Sequence, residues 1–553
     1  MCLRVLIVAR HWIDELADKL YDAMTRRSKS IVVFNGGLSV SGLQHVGRLR
    51  GEVIIPEVLR RILEKRGLKV KQYLTLYTQD SWKAKEAQVE RFKEGGEKYA
   101  GWPLIRVPDP AGCHSNWVEH YWSDFGPFIK EFTDGKIEVV TTTELYKSRL
   151  KEFTKLVLES REKVRSVLNK YRGRKPYEEG WIPFEPICEK CGRIDTTECT
   201  RIVDEEHVEY TCRNCGHVGL SLIERGKLMW RIEWVGVWWS LGVDFEPFGK
   251  DHAMPGGSRD SCVDLTVNVF NFTPPEGLPY EWVEWRTPDG RVVDMGSSDF
   301  LGFTPRDWLE VAHPHIFRFL VLRTPPMKKL SVGLHEVPQY YSLYYKAERV
   351  YYGLEKVSSG EERELLARSY ELSYPHGDPP KNPPEQVPYL HLAILAQIVP
   401  RGKWSSEGLS RLKASGHLSD QPTEYGVKRV LETLVKAHAW IEKYGPSEMR
   451  VELVPLAVAE KLAENVDSAL TEYFRELYEC LHGLINWREE DIKNAFVAVT
   501  SKLREESSIK LFYTHFYKVL TGKESGPRAA PLLALIGRDL SLKYLSLLAK
   551  RTA

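Results

Sequence analysis

No stretch of this chain is apolar for long enough to cross a bilayer. The longest runs, Leu3–Ala9 (interrupted by Arg4) and Tyr389–Val399, fall far short of the roughly 18–20 residues a spanning helix needs. The first is also too short for the core of an export signal, and Asp14, Glu15 and Asp18 follow it closely. No membrane partner is expected, and a cytoplasmic location is. An excess of one charge is missing too: 78 Lys and Arg against 76 Asp and Glu leave a net charge of +2. That excludes a globally basic nucleic-acid coat, so any nucleic-acid surface must be a local patch. Internal repeats and low-complexity tracts are absent. Cysteine is sparse, nine in 553 residues, and suits metal ligands or buried thiols better than a disulfide framework.

What is present is ample core material. Hydrophobic residues make up 42% of the chain and aromatic ones 11%, including 16 Trp, which excludes a disordered chain. The length sets a soft prior of three or four domains.

The pattern begins with an amphipathic helix over His11–Arg27, with Trp12, Leu16, Leu20 and Met24 on one face. Ile31–Phe34 reads as a short buried strand that Asn35-Gly36-Gly37 and Ser41-Gly42 break. A helix follows from His45 to Arg66, with Gly67 as its C′ residue, and Val70–Tyr77 reads as a second strand. Strand, glycine-rich loop, helix, strand is a βαβ unit and predicts an open parallel sheet. The expected division is an N-terminal extension and helix over 1–30, the first half of a Rossmann-type sheet over 31–100, an inserted zinc-bearing segment over 101–229, the second half of the sheet over 230–338, and an all-helical domain over 339–553. One long polar helix is expected near Thr143–Tyr171.

The sharpest motif is Cys188-Glu-Lys-Cys191 followed by Cys212-Arg-Asn-Cys215, each pair followed by glycine. Two such knuckles supply four thiolates, the donor set of a closed structural zinc site; Cys199 between them is spare. A second cluster, Asp109, Cys113, His114 and His120, offers O, S and N donors within twelve residues. It reads either as another metal site or as a proline-rich turn with satisfied histidines. The loop Asn35–Gly47 holds Asn35, Gly36, Gly37, Ser41, Gly42, His45 and Gly47 between strand and helix. Its glycines allow close backbone approach, and the helix start attracts phosphate. His45 in the first turn would donate to a phosphate oxygen, and Gly47 would clear space for an adenine ring. It is no P-loop, since no Gly-Lys-Ser/Thr follows. Downstream, Phe245–Ala253 sets Lys250, Asp251 and His252 beside glycines in an apolar neighbourhood, which is costly unless the charges are paired or used.

Taken together these segments resemble the archaeal-type class I lysyl-tRNA synthetases, nearly end to end. His11-Trp12-Ile13-Asp14 resembles the family's start, which would make the first ten residues an extension. Ser41–Gly47 resembles its HIGH signature, Pro108–Ser115 its PDPFGCH element, and Trp181–Arg193 its zinc-knuckle entry. Phe248–Ala253 with Gly256-Gly257-Ser258, Thr304–Val311 and Leu520–Arg528 match further elements. The resemblance implies a Rossmann catalytic domain, a zinc-bearing insertion and a helical domain that reads the anticodon. It implies activation of lysine with ATP, accompanied by Mg2+, and transfer to tRNA. It assigns Asp109, Cys113, His114 and His120 to a second metal, Trp234, Asp251, His252 and Tyr280 to the lysine pocket, and Met295, Ser297 and Ser298, with His45 and Gly47, to catalysis.

The chain departs from the family at the second signature. Where the family has approximately KMSSSKGN, this sequence reads Asp294-Met295-Gly296-Ser297-Ser298-Asp299-Phe300-Leu301, so both lysines are aspartates. Losing one donor to a developing anion costs about 2.7–4 kcal/mol, unless another cation substitutes; Arg286, Arg291 and Arg306 are the nearby candidates. Val237 also replaces an arginine of the family's WPMRW element. Two readings follow: a lysine–tRNA ligase with a rebuilt phosphate clamp, or an impaired paralogue that binds tRNA or lysine without efficient adenylation. Nothing in the pattern fixes an oligomeric state.

Overall fold

A computed structural model describes residues 10–173 and 175–550. The expected extension therefore lies, except for Arg10, outside the described residues. The chain forms two compact units. The first is Met1–Trp308 with Phe317–Gly333 and Lys356–Asp378, and the second is Leu309–Ile316, Leu334–Glu355 and Pro379–Ala553. Among the described residues no helix is long and apolar enough to cross a membrane.

The first unit is built on five parallel strands: β1 (Val32–Leu38), β2 (Val70–Leu76), β3 (Ile137–Thr141), β4 (Phe245–Gly249) and β5 (Glu276–Tyr280). Their order is β5-β4-β1-β2-β3. Most of β1 and β4 is buried, as befits parallel strands covered on both faces. The chain runs outward from β1 in both directions, to β2 and β3 on one side and to β4 and β5 on the other. The order thus reverses between β1 and β4, and a crevice opens beyond their carboxyl ends, the usual ligand position in such a sheet. Asp244 pins the junction: its carboxylate accepts from the Val33 amide at 2.9 Å and pairs with Lys29 at 2.6 Å.

Several expectations change on this frame. The first helix, α1 (Trp12–Arg27), is present, but it buries Ile13, Ala17, Leu20, Ala23 and Met24, leaving Trp12 and Leu16 half-buried. Asn35-Gly36-Gly37 does not break the first strand; all three residues pair with β2 inside β1. The helix after the loop starts as a π-helical turn, Arg50–Ile54, and becomes α2 (Ile55–Lys65), closed by Gly67 at φ +94°. The third sheet strand, β3, falls within 101–229, so that span is not an insertion throughout. The single long helix near Thr143–Tyr171 is three pieces, Thr142–Leu145, Arg149–Glu159 and Arg161–Asn169. Glu233 lies on α3 (Trp230–Leu241), where burial pushes it up to about 7 although Lys227 sits 3.1 Å away.

The second unit is helical. Its longest helix, α4 (Glu424–Lys443), is capped by the Thr423 hydroxyl and buries Val430, Leu434, Ala437, Trp440 and Ile441, an amphipathic stripe. The division does not fall at 338/339. Residues 356–378 belong to the first unit, where Arg368 holds Asp14 in a two-pronged pair at 2.7 and 2.9 Å. That return is invisible to periodicity, because a helix reads the same whichever core it serves.

Candidate active site

The crevice beyond β1 and β4 is a cavity of about 350 Å3. The carboxyl ends of the strands supply its floor: Gly37 and Ser39 from β1 and its loop, Glu246 to Gly249 from β4, and Tyr280 from β5. His45, Gly47, Arg48 and Glu52 come from the loop and π-turn, Trp230 and Trp234 from α3, and Met295 and Ser297 from the second-signature loop.

One end of this cavity is acidic and closely bonded. Glu246 is buried, and its carboxylate accepts from Trp234 Nε1 at 2.8 Å, Trp238 Nε1 at 2.9 Å and Asn35 Nδ2 at 3.0 Å. Burial raises its pKa, while those donors oppose the rise. Glu52 is also buried. It accepts from the Gly37 amide at 2.8 Å and from the Tyr280 hydroxyl, yet burial pushes it up to about 7. The π-turn explains how an acid on a helix comes to point inward. It turns Glu52 to the cavity while Arg50, fully buried, donates to the carbonyls of Glu281, Pro325 and Lys328 at 2.8–2.9 Å. Gly51 is obligatory there, since a Cβ would run into the Tyr280 ring. Tyr77 adds a buried hydroxyl without a hydrogen-bond partner.

The other end is cationic and made of loops. His45 has a buried Nδ1 without a partner, and burial, then Arg48, holds its pKa well below the ordinary histidine value. His45 precedes the first turn rather than lying in it; the Arg48 amide donates to its carbonyl at 3.1 Å. Gly47 lines the cavity, and a Cβ there would meet Val283 at 2.9 Å and the His45 ring at 3.0 Å. Arg48 Nε donates to Ser297 Oγ at 2.9 Å, joining the two signature loops. The Val46 amide donates to the Phe303 carbonyl at 2.7 Å, and a Cβ on Gly42 would strike Ser297 O.

Not every residue singled out in the sequence reaches the cavity. Asn35 lies beneath the floor, bridging Glu246 and Thr75. Gly36 is packed against the Glu52 backbone, and Ser41 presents its carbonyl to Gln88. Ser298 and Asp294 do not line the cavity, while Trp234, Asp251, His252 and Tyr280 all do. Arg291 and Arg306 are paired elsewhere, with Asp289 and Asp124. The cations at the loops are instead Arg48 and Lys85, which pairs with Asp299 at 2.8 Å. Phe300, at φ +55°, stands under the Arg91 guanidinium at 4.4 Å and edge-on to Trp117 and Tyr121. Val237 is simply core, and Arg259 lies over the neighbouring Trp238 ring at 4.6 Å. The sequence reading missed Glu52, Glu246, Arg48 and Lys85. The one available signal was Arg48-Leu-Arg50-Gly51-Glu52, three charges and a glycine inside an otherwise apolar helical run.

The four knuckle cysteines converge. Cys188 and Cys215 Sγ are 3.6 Å apart, as are Cys191 and Cys212; tetrahedral zinc–thiolate bonds of 2.3 Å require about 3.8 Å. Amides of Lys190 and Cys191 point at Cys188 Sγ, and those of Asn214 and Cys215 at Cys212 Sγ. This donor set is compatible with zinc. Cys199 is apart, its thiol on the Phe184 carbonyl. Asp109, Cys113, His114 and His120 likewise gather their ligand atoms within 4.8 Å of one another. Asp109 accepts from the amides of Ala111, Cys113 and His114 and lies 2.9 Å from His120 Nδ1. Burial works against its charge, but the amides prevail and hold it near 2.

The family model described as tRNA synthetases class I (K) matches residues 10–376. A lysine–tRNA ligase of Aeropyrum pernix is 53% identical over 531 residues, covering 96% of this chain and 96% of that protein. A lysine–tRNA ligase of Methanocaldococcus jannaschii is 29% identical, covering 97% of this chain and 99% of its own. One of Archaeoglobus fulgidus is 31% identical, covering 95% and 97%.

Proposed function

The chain belongs to the class I (K) family of tRNA synthetases, and from that premise we propose that it is a cytoplasmic lysine–tRNA ligase whose cavity receives lysine at the acidic end and ATP at the loop end. The observation that carries the lysine assignment is Glu52: a buried carboxylate facing the cavity, joined to Tyr280 and close to Glu246, stays raised to about 7 despite the Arg48 charge nearby and so has room for a further cation. The lysine side-chain ammonium satisfies it. Trp230, Trp234 and His252 wall the aliphatic chain. ATP, entering as its magnesium complex, lies over His45 and Gly47 with its phosphates toward Arg48.

The lysine carboxylate oxygen then bonds to the α-phosphorus in line, and the bond from that phosphorus to pyrophosphate breaks. Fixed positions for both reactants supply most of the advantage. Arg48 faces the charge that grows on the leaving pyrophosphate. His45, held neutral by burial, donates one N–H rather than a full charge. The terminal ribose hydroxyl of tRNA next attacks the acyl carbon and gives up its proton, the bond from that carbon to the phosphate oxygen breaks, AMP leaves with that oxygen, and lysine is esterified to tRNA.

The aspartates of the second signature do not argue for an inactive paralogue. Asp294 lies off the cavity, and so does Asp299, whose charge is matched by Lys85 at 2.8 Å. Zinc at the Cys188/Cys191/Cys212/Cys215 knuckle is structural; a second metal at Asp109/Cys113/His114/His120 would brace the helix Trp117–Trp122, whose Trp117 and Tyr121 hold Phe300. The helical unit meets the tRNA anticodon.

The test is lysine-dependent ATP–pyrophosphate exchange on zinc-replete protein, with and without tRNA. Exchange specific to lysine is expected. Its absence from folded protein would refute the ligase reading. Metal analysis should find zinc, and chelation should lower the melting temperature; an unchanged melt of metal-free protein would refute the structural zinc.

A further inference from the structure

The helical unit holds a side-chain cluster that the ligase chemistry does not use. Three segments far apart in sequence meet in it: His391 from the helix Tyr389–Ile398, His417 from the turn after the helix Leu409–Ala414, and Glu489 at the start of the helix Glu489–Thr500. Each offers one ligand atom, and these atoms lie within 4.8 Å of one another. Glu489 Oε2 is 2.7 Å from His417 Nε2 and 3.6 Å from His391 Nε2. The two imidazole rings stand at 78° with centroids 4.5 Å apart. Hydrogen bonds do not account for this convergence. Ser415 Oγ donates to the Leu412 carbonyl at 3.2 Å and lies 2.8 Å from His417 Nδ1, so it accepts the Nδ1 proton. The Nε2 lone pair of a neutral His417 then faces the carboxylate, and two acceptors that close repel unless a proton or a metal ion lies between them. A proton there, from an imidazolium or from the other tautomer, serves His417 and Glu489 alone. Among the described residues His391 is left without a hydrogen bond: its Nδ1 is buried with no partner, and its Nε2 stands beyond hydrogen-bond reach of Glu489. Burial, then the His417 charge, lowers His391 to about 4, so its ring is neutral near pH 7.

Two imidazoles and one carboxylate are a donor set for zinc or a similar transition-metal dication, whereas magnesium and calcium call for oxygen. Zinc bonds of about 2.0–2.1 Å set tetrahedral donors about 3.3 Å apart, and the separations of 2.7 and 3.6 Å bracket that value. The bond from His417 Nδ1 to Ser415 selects the tautomer that presents Nε2, as the outer partners of metal-bound histidines do. An ion arrives from the carboxylate side, since the Glu489 side chain is 30% exposed against 15% for His391 and 10% for His417. Arg528 is close enough for its charge to act on both Glu489 and His391. It opposes a dication and makes this a weaker site than four thiolates. We propose that His391, His417 and Glu489 bind one zinc ion, with water in the fourth position, and that the ion ties together the three segments that carry them. This inference does not rest on the ligase reading.

The experiment uses the full-length protein, His391→Gln, Glu489→Gln and the double variant, with Glu490→Gln, an exposed acid of the same helix, as control. After equilibrium dialysis against buffered zinc, the parent and Glu490→Gln should hold one zinc per chain more than the double variant. Lowering the free zinc should strip this ion from the parent before the knuckle loses its own. Saturating it should raise the melting temperature of the parent but not of the double variant. With cobalt(II) in place of zinc, the parent-minus-variant spectrum should show d–d bands without thiolate charge-transfer absorption, because this site has nitrogen and oxygen donors only. Equal zinc in the parent and in variants that circular dichroism shows to be folded would overturn the proposal, as would thiolate absorption in the difference spectrum. Should the variants not fold, the parent alone decides: if no d–d absorption grows in after the thiolate bands have saturated, there is no such site.

Discussion

The two ends of the active-site cavity are built on opposite principles. At the acidic end both buried glutamates are tied to the frame: Glu246 by two indoles and an amide, Glu52 by the Gly37 amide and the Tyr280 hydroxyl. At the loop end charges meet at exposed or half-buried positions. Arg48, half-buried, hydrogen-bonds a serine of the opposite loop and also feels the charge of Glu52, and the nearby Lys85–Asp299 pair is about half exposed. The lesson is one of dielectric. A buried carboxylate is costly alone and therefore discriminates strongly for its counter-ion. A screened pair is cheap to break and suits a part that must rearrange as phosphates arrive and pyrophosphate leaves.

The comparison breaks most visibly at Glu52. Glu52→Gln removes the charge but keeps the shape. Leaving the lysine ammonium without its buried partner should cost about 3–5 kcal/mol, so kcat/KM for lysine in pyrophosphate exchange should fall by roughly two to nearly four orders of magnitude while the KM for ATP hardly moves. A loss shared equally by both substrates would mean that Glu52 shapes the cavity rather than recognising lysine. Arg48→Ala tests the loop end. One phosphate-facing donor is worth about 2.7–4 kcal/mol of transition-state stabilisation. The loss should appear in kcat, with lysine binding, read by equilibrium dialysis, left within about threefold.

The acidity of Glu52 sharpens the same contrast. With its folded pKa raised from 4.5 to about 7, the protonated form is favoured in the folded protein. Stability from this group is therefore fully present below pH 4.5 and is lost as pH rises through 7, by up to about 3 kcal/mol. Lysine reverses the sign, because its ammonium needs the ionised carboxylate. The rise in melting temperature on adding lysine should accordingly be larger at pH 8 than at pH 6, and Glu52→Gln should flatten that dependence. An equal rise at both values would contradict the assignment of Glu52 to the ammonium.

How much of this was legible beforehand follows the same divide. Signals that depend on local spacing were readable: the two Cys-x-x-Cys knuckles, the βαβ start and the glycine closing α2; the second signature loop was readable only through the family resemblance. The departures at Asp294 and Asp299 were visible as well, but not their consequence, because Lys85 lies 214 residues from its partner Asp299. Glu52 and Glu246 were missed for a related reason. An acid in a helical run reads as solvent-facing, and only the π-turn and the approach of Tyr280 to Gly51 turn it inward. Asn35 shows the reverse error: a polar residue between a strand and glycines reads as a ligand contact, yet it is a cross-strand brace. The return of residues 356–378 to the first unit depends on Arg368 meeting Asp14, a pairing that no window of sequence contains.

The smallest expected effect is at the Lys85–Asp299 pair, and it separates cheap electrostatics from useful electrostatics. Both side chains are close to half exposed, so breaking the pair should cost at most about 1 kcal/mol of stability, and the melting temperatures of Lys85→Ala and Asp299→Asn should stay near the parent's. Their activities should diverge. If Lys85 carries the role that the family's loop lysine serves, Lys85→Ala lowers the rate of adenylate formation. Asp299→Asn leaves the ammonium in place with its competing carboxylate gone, and so raises the rate slightly or leaves it unchanged. Single-turnover adenylate formation at low and moderate ionic strength distinguishes this from a purely structural pair. A structural pair would move both variants in the same direction and by the same amount, whereas a phosphate-facing lysine makes only the Lys85→Ala defect shrink as salt screens the parent's advantage.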